Sequence, residues 1–304
     1  MKRIFLITLV FTTLLINCGK NLEFKFASGF QGGTYEKIGE SLSKVSNFKV
    51  QNQNSKGSID NIFLVNDKKV DISICQLDVL QNSIIGNAEI KDNVKILFPL
   101  YGEEVHLLAK ISIESVKDLK GKKVSIGDSD SGTKLTSLIF LSQFGINNDN
   151  ATLEEFDFKT SLEKLQNGEL DALIFIAGYP VDSFSKLPED SKEKIHLIDF
   201  KNESLKMVGG SNIFYKNSEI PSGTYSWEVK PVNTILVQSV LIARSDFSDD
   251  DVITFTKSVW KEKDMLATRH DKWKQLSKGS LEFIKEKNKE FLHPAVLKIL
   301  PDLN

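Results

Sequence analysis

The sequence predicts an α/β protein with two lobes of similar plan. Three observations carry this prediction. Strand patterns alternate with helical patterns along most of the chain, two strand–turn–helix units recur at an offset of about 100 residues, and the last part of the chain is mostly helical. Such alternation is typical of helices packed on a mainly parallel sheet. With 304 residues, of which 40% are hydrophobic, the chain can bury a sizeable core in each lobe.

Hydrophobic spacing predicts the individual elements. Strands are predicted where residues alternate or form short apolar runs, and helices where apolar residues recur every three to four positions. The predicted strands are 22–26, 48–53, 70–75, 122–127 and 171–177, and the predicted helices are 58–66, about 133–144 and one that begins near Thr34. Residues 95–110 form a long apolar stretch, and we interpret the charged residues that interrupt it at 102–104 as a loop beside a strand.

A weak internal repeat relates two parts of the chain. A strand followed by a glycine–threonine pair and a helix occurs at Gly33 and Thr34, and again at Gly132 and Thr133. A helix that leads through an aspartate into a strand occurs before residue 71 and again before residue 171. Two matches at nearly one offset predict two lobes of one plan. Coincidence is the alternative, because small-residue turns are common.

Each half of the repeat would present a helix N-terminus to a cleft between the lobes. The first amides of a helix lack partners and the helix dipole favours negative charge there, so two facing N-termini could hold a carboxylate. Gly32 and Gly33 would let the backbone approach a ligand. Thr34 would either touch that ligand or cap the helix.

Composition argues against nucleic acid as a partner. The formal net charge is −2, and arginine occurs only at Arg3, Arg244 and Arg269. Nucleic-acid-binding proteins usually carry clustered basic residues. The two cysteines, Cys18 and Cys75, predict no disulfide, and we expect Cys75 to be a small buried residue in a strand.

Residues 1–17 predict a secretory signal. Two basic residues precede an apolar run at 4–16, which is shorter than the roughly 20 residues that span a bilayer. The run ends in Leu-Ile-Asn-Cys, which resembles a bacterial lipobox although Asn17 replaces the usual small residue. We therefore expect an exported protein, periplasmic or at the cell surface, with a lipid anchor on Cys18. Cleavage at an ordinary signal peptidase site is the alternative.

A series of short motifs resembles the TAXI family of solute-binding proteins. The motifs occur in order over nearly the whole mature chain. They are GGTY (32–35), GSIDN (57–61), DISICQLD (71–78), EVH (104–106), DLKGKKV (118–124), Gly127 with SGT (131–133), IPSGTY (220–225) and LHP (292–294). The resemblance implies the two-lobed fold of type II periplasmic binding proteins. As a function, it implies capture of glutamate, glutamine or a related carboxylate for delivery to a TRAP membrane permease.

The resemblance also implies how the lobes and the site are built. One lobe would comprise residues 18–107 and 233–304, and the other residues 108–232. The implied ligand contacts are Gly33, Thr34, Tyr35, Gln76, Asp78, Ser131, Gly132, Thr133 and Tyr179. Ordinary packing or exposure at the lobe surface is the alternative for the two tyrosines, and helix capping is the alternative for Gln76 and Asp78.

Three acidic residues depart from the family pattern. Glu36, Asp128 and Asp130 would stand near the cleft, where they would repel a carboxylate ligand. Because arginine is scarce, only Arg244 could serve as a bidentate clamp. We therefore expect a zwitterionic or amide ligand such as glutamine rather than a dicarboxylate.

No catalytic or metal-binding pattern stands out. Residues 128–132 resemble a calcium loop, but Gly132 and Ile139 stand where oxygen ligands belong, and the four histidines lack zinc-ligand spacing. We predict a monomer that has neither enzyme activity nor a cofactor. Two alternatives stay open: an enzyme on the same bilobal fold, and a surface lipoprotein that keeps the fold without transport.

Overall fold

We describe the protein from a computed structural model that covers residues 21–188, 191, 193–200 and 214–303. The predicted signal segment and Cys18 lie outside these described residues. Within them, helices pack on a sheet of ten strands that two lobes share. This mixed α/β, two-lobed architecture agrees with the fold class predicted from the sequence.

The sheet extends through both lobes. Its strands are β1 (Leu22–Ala27), β2 (Phe48–Gln53), β3 (Ile72–Gln76), β4 (Val94–Lys110), β5 (Lys123–Ser125), β6 (Thr152–Glu154), β7 (Ala172–Ala177), β8 (Ile195–Leu197), β9 (Tyr215–Ile220) and β10 (Val232–Arg244). Their order is β2-β1-β3-β10-β4-β7-β5-β6, with β8 paired to β4 and β9 to β10.

Helices follow most of the strands. They are α1 (Thr34–Leu42), α2 (Ser58–Asn66), α3 (Leu77–Gly86), α4 (Glu89–Asn93), α5 (Gly132–Gln143), α6 (Phe158–Gln166), α7 (Asp182–Ser185), α8 (Asp249–Lys261), α9 (Lys263–Ala267), α10 (Lys278–Asn288) and α11 (Pro294–Ile299). Side chains of Ser131, Asp157, Ser248 and Ser277 cap α5, α6, α8 and α10. A 3₁₀ helix at Asp271–Gln275 reaches the centre of the molecule.

Two long strands carry the chain between the lobes. β4 and β10 have 17 and 13 residues and pair antiparallel with each other. Beyond β10, the strands β3, β1 and β2 are parallel, and beyond β4, the strands β7, β5 and β6 are parallel. The mainly parallel sheets predicted for the lobes are thus present. The antiparallel pairs arise because the chain leaves on β4 and returns on β10.

Hydrophobic side chains form one cluster in the first lobe and two in the second. We define lobe 1 by its cluster, which draws on residues 22–101 and 240–303, and lobe 2 by clusters within residues 105–237. Cys75 is fully buried in lobe 1, as expected. The lobe boundaries that the resemblance implies, at residues 107 and 232, remain a prediction.

The loop predicted at residues 102–104 is wrong. β4 is one continuous strand through this segment, and Glu103 and Glu104 are only 2% and 1% exposed. The strand crosses from one lobe to the other at the middle of the sheet, so its charged side chains are enclosed by both lobes. The interruption in the apolar pattern therefore marks the base of the cleft.

The repeat is visible in equivalent contacts of the two lobes. Asp71 accepts a hydrogen bond from a backbone N–H of β1 and pairs with Arg244 Nε at 2.9 Å, at the end of β10. Asp171 accepts a bond from the first N–H of β5 and pairs with Lys110 Nζ at 2.8 Å, at the end of β4. Each aspartate joins a parallel strand to the end of a crossing strand, which confirms the predicted correspondence between the two parts of the chain.

Candidate functional site

A cavity of about 150 Å³ lies between the lobes and is lined by residues of both. Seven of the nine predicted contact residues line it, namely Gly33, Thr34, Tyr35, Gln76, Ser131, Gly132 and Thr133. Asp78 and Tyr179 do not. The cavity is smaller than the roughly 300–1,000 Å³ of sites for drug-sized ligands, so it suits a small solute.

The first turn of α1 supplies one wall. Gly32 has a φ of 83°, which glycine adopts readily, and the missing Cβ of Gly33 leaves room for the ring of Phe30 at 2.8 Å. Thr34 does not cap the helix, because Gly33 is the N-cap residue and no side chain caps it. Instead, Thr34 Oγ1 donates a hydrogen bond to the carbonyl oxygen of Gly178 in lobe 2 at 2.9 Å. Its hydroxyl therefore holds the two lobes together.

The first turn of α5 supplies the opposite wall. Ser131 caps this helix by accepting a bond from the backbone N–H of Lys134, while Thr133 Oγ1 accepts one from Ile176 N within lobe 2. A Cβ at Gly132 would collide with Gln76 Oε1 and would lie 2.7 Å from Ser58 Oγ. Glycine at this position therefore permits the close approach of lobe 1 to the start of α5.

Gln76 and Asp78 take part in a buried network that joins the lobes. Gln76 Nε2 donates to Thr136 Oγ1 at 2.9 Å, and Thr136 Oγ1 donates to Asp78 Oδ2 at 2.8 Å. Tyr215 OH donates to the same Asp78 oxygen at 2.6 Å. Burial raises the pKa of Asp78, and the bonds from Tyr215 and Thr136 oppose that rise. Asp78 thus contacts lobe 2 directly instead of facing the cavity.

The floor of the cavity was missed from the sequence. Tyr35 OH donates to Glu103 Oε1 at 2.6 Å, and the hydroxyl of Tyr101 is buried without a hydrogen-bond partner among the described residues. Both Tyr101 and Glu103 line the cavity. Burial raises the pKa of Glu103 well above its usual range, and the negative charges of Asp78 and Glu104 add to this. The strand-like apolar runs on both sides of Glu103 were the signal that could have placed it.

A second polar cluster lies beside this floor. Lys272, from the C-terminal part of the chain, pairs with Glu104 at 2.7 Å, and both side chains are almost fully buried. Lys272 Nζ also lies 4.0 Å from the centre of the Tyr179 ring, which does not line the cavity. Nδ1 of His106 donates to the carbonyl oxygen of Glu104, so Nε2 accepts a 2.9 Å hydrogen bond from Tyr225 OH, and burial lowers the pKa of His106 to about 3. This cluster stiffens β4 where that strand passes from one lobe to the other.

The mouth of the cavity carries charge from both lobes. Lys56 of lobe 1 pairs with Asp130 at 2.7 Å and lies 3.8 Å from Asp128 in lobe 2. Glu36 instead accepts a bond from the backbone N–H of Gly32 and is not part of the lining. Among the described lining residues, Lys56 is the one cation, and the aspartates already offset its charge.

No arginine clamp was expected from the sequence, and Arg244, the one arginine considered for that role, lies away from the cavity. Its guanidinium pairs with Asp71 at 2.9 Å and with Asp246 at 3.0 Å, at the end of β10. It does not line the cavity. The repeat explains why, because Arg244 fills the structural position that Lys110 fills in the other lobe.

Aromatic rings complete the lining. Phe30 of lobe 1 lies 5.4 Å from Phe158 and 5.3 Å from Phe175 of lobe 2, measured between ring centres. Phe158 and Phe175 stack at 4.2 Å. The two separations from Phe30 are typical of favourable aromatic pairs, so one side of the cavity is an apolar wall that both lobes build.

Metal and membrane features were searched over the same described ranges. No group of three or more His, Cys, Asp or Glu residues there is placed to hold a metal ion. None of the described helices combines the length and the apolar character needed to cross a bilayer.

Comparison with known proteins agrees with this architecture. The profile of the NMT1-like family matches residues 26–300. A periplasmic sulfonate-binding protein from Methylobacillus flagellatus is 14% identical with a TM-score of 0.51, over 93% of this chain and 95% of that chain. A protein described as an L-cystine ABC transporter from Listeria monocytogenes is 15% identical with a TM-score of 0.51, over 83% and 95%.

A further similar structure is the GluR0 ligand-binding core from Nostoc punctiforme in complex with L-glutamate. It is 15% identical with a TM-score of 0.50, over 82% of this chain and 98% of that chain. At such low identity these likenesses show the fold alone, and they confirm the predicted two-lobed class of type II periplasmic binding proteins.

Proposed function

The chain belongs to the NMT1-like family, and from this premise we propose that it is an extracytoplasmic solute-binding protein. The observation that carries the proposal is a small cavity between the two lobes, and residues of both lobes form its walls. A solute held there would contact α1 and α5 at once, and would thereby favour the closed arrangement of the lobes. The protein would bind its solute and carry out no chemistry.

We propose a small amino acid or related carboxylate as the solute, with glutamine favoured over glutamate. The first turns of α1 and α5 line the cavity, and amides at helix N-termini suit an anionic group. A second carboxylate on the solute would find no unpaired cation among the described lining residues, because Lys56 already pairs with Asp130. An amide or ammonium group avoids this repulsion.

The destination of the solute is proposed from the sequence. The TAXI-like motifs indicate delivery to a TRAP-type permease, and the lipobox-like segment indicates a lipid anchor on Cys18 at the periplasmic or outer face of a membrane. The protein would act as a monomer.

Thermal denaturation of ligand-stripped protein tests the binding function. A solute at 100 times its dissociation constant stabilises the folded state by about 2.7 kcal/mol. For a chain of this size we expect Tm to rise by roughly 4–8 °C. A panel of amino acids and carboxylates should give at least one such rise, with glutamine and glutamate the first to try. If no compound raises Tm, the surface lipoprotein that keeps the fold without transport becomes the better description.

A further inference from the structure

We propose that Glu103 and Tyr101 form the subsite for a protonated amino group of the solute. The inference rests on the proposed function, because it names the chemistry of one end of the solute that the cavity would take. It concerns the floor of the cavity, where β4 passes beneath α1.

The Glu103 carboxyl lacks a positive partner within the described part of the chain. It is 2% exposed and lines the cavity, and it accepts one side-chain hydrogen bond, from Tyr35 OH. The nearby ammonium of Lys272 forms its ion pair with Glu104. A buried carboxyl with one partner is costly to ionise, and a cation that enters the cavity would remove that cost.

The Tyr101 hydroxyl supplies a second acceptor. It is buried, it has no hydrogen-bond partner among the described residues, and its side chain lines the same cavity. An ammonium group carries three N–H donors, so it can donate to Glu103 and Tyr101 together.

The groups around Glu103 decide its protonation. Asp78 and Glu104 are negative, Lys272 is positive, and Tyr35, Tyr101 and Cys75 are neutral neighbours of the same cluster. Burial together with the two carboxylates raises the pKa of Glu103, so its carboxyl tends to hold a proton in the ligand-free protein. When the ammonium group binds, that proton leaves to solvent and the carboxylate pairs with the cation.

Three matched pairs of probes test the subsite. They are L-glutamine with glutaramate, L-glutamate with glutarate, and L-phenylalanine with 3-phenylpropanoate, so each pair differs by the amino group alone. Calorimetric titration should show that at least one amine binds at least tenfold more tightly than its partner. Titration in phosphate and in Tris, which differ in ionisation enthalpy, should show release of up to one proton per solute. Affinity should fall by about tenfold for each pH unit below the pKa of Glu103.

Variants separate recognition from folding. Glu103→Gln should weaken binding of the amine at least tenfold and abolish proton release. Its affinity for the matched probe that lacks the amino group should stay within about threefold of the parent's. Tyr101→Phe should weaken the amine while the ligand-free Tm stays unchanged, because the hydroxyl has no partner to lose. Glu40→Gln is the matched control. Glu40 is an exposed residue of α1 that pairs with Lys37, and its replacement should change neither the affinity for the amine nor the ligand-free Tm.

Two results would overturn the inference in different ways. If an amine and its partner bind the parent equally, or if Glu103→Gln binds the amine as the parent does, the amino-group subsite is wrong while the binding function stands. If none of the six probes binds the parent, capture of amino acids or carboxylates of this kind is wrong, and the subsite is rejected with it.

Discussion

At the scale of single residues, the chemistry of the cleft comes from polar side chains buried on one strand. Glu103 faces the cavity, and its neighbour Glu104 pairs with the buried Lys272. Adjacent residues of a strand point to opposite sides, so two successive glutamates serve different purposes. The two threonines of the repeat also serve different purposes. Thr34 forms a hydrogen bond across the lobes, whereas Thr133 forms one within its own lobe.

Replacement of Glu103 should change how the ligand-free stability depends on pH. A raised pKa means that the folded protein holds this proton more tightly than the unfolded chain does, so the contribution is favourable at low pH and is lost as pH rises through the folded pKa. Glu103→Gln has no such loss, and Gln can still accept the bond from Tyr35. We expect its Tm to exceed that of the parent by a few degrees at pH 8 and the difference to shrink toward pH 5.

Melting curves of ligand-free protein between pH 5 and pH 8 measure this difference. The comparison is between the two proteins at each pH. Asp78 and Glu104, whose pKa values burial also raises, are coupled to Glu103, so the difference in Tm reports the titration of Glu103 together with these two neighbours. A constant gap over the whole range would show that Glu103 does not titrate as the structure implies.

At the scale of elements, the N-termini of α1 in lobe 1 and α5 in lobe 2 both line the cavity, but they are capped differently. A serine caps α5, whereas no side chain caps α1. Part of the space before α5 is taken by the protein's own Gln76, which a Cβ on Gly132 would strike. Glycine inside a helix is less favourable than alanine by about 0.5–1 kcal/mol, and Gly132 is the first residue of α5. Its presence here is therefore explained by the packing of the lobes.

Gly132→Ala should weaken solute binding at least tenfold. The added Cβ must displace Gln76 from Thr136 or hold the lobes apart, and either change opposes the closed state. Gly279→Ala is the control: this glycine lies in α10 with no heavy atom within 4 Å of the new Cβ, and the change should stabilise the protein by about 0.5–1 kcal/mol without loss of affinity. Calorimetry and small-angle scattering, with and without solute, would measure both effects. Tight binding by Gly132→Ala would contradict a role for this contact in closure.

At the scale of the whole molecule, the lobes are joined by two long strands and closed by contacts across the cleft. Lys56 pairs with Asp130, and Thr34 bonds to Gly178. β1 begins at Leu22, four positions after the proposed lipid site at Cys18. With at most about 3.6 Å per residue, an anchor there would hold lobe 1 within roughly 15 Å of the bilayer surface.

Cys18→Ser should remove the lipid anchor. If lipid on Cys18 is the anchor, the parent partitions into detergent, and the variant stays unprocessed or becomes soluble while it keeps its affinity for solute. Fractionation of cells, followed by mass measurement of the N-terminal peptide, would show this. A serine variant that is cleaved normally and still fractionates with membranes would refute the lipid anchor.

Local sequence patterns determined the α/β class, the placement of most elements and the correspondence of the two lobes. Predicted strands such as 171–177 and helices such as 58–66 match the structure closely, because period and turn residues are properties of neighbouring positions. Tertiary structure alone decided the floor of the cavity. Lys272 and Glu104 lie 168 residues apart in the chain, and Glu103 is buried because both lobes enclose β4. Contacts between residues so far apart in the sequence leave no local pattern. The charged residues at 102–104, which interrupt an apolar run, were therefore predicted to form a loop.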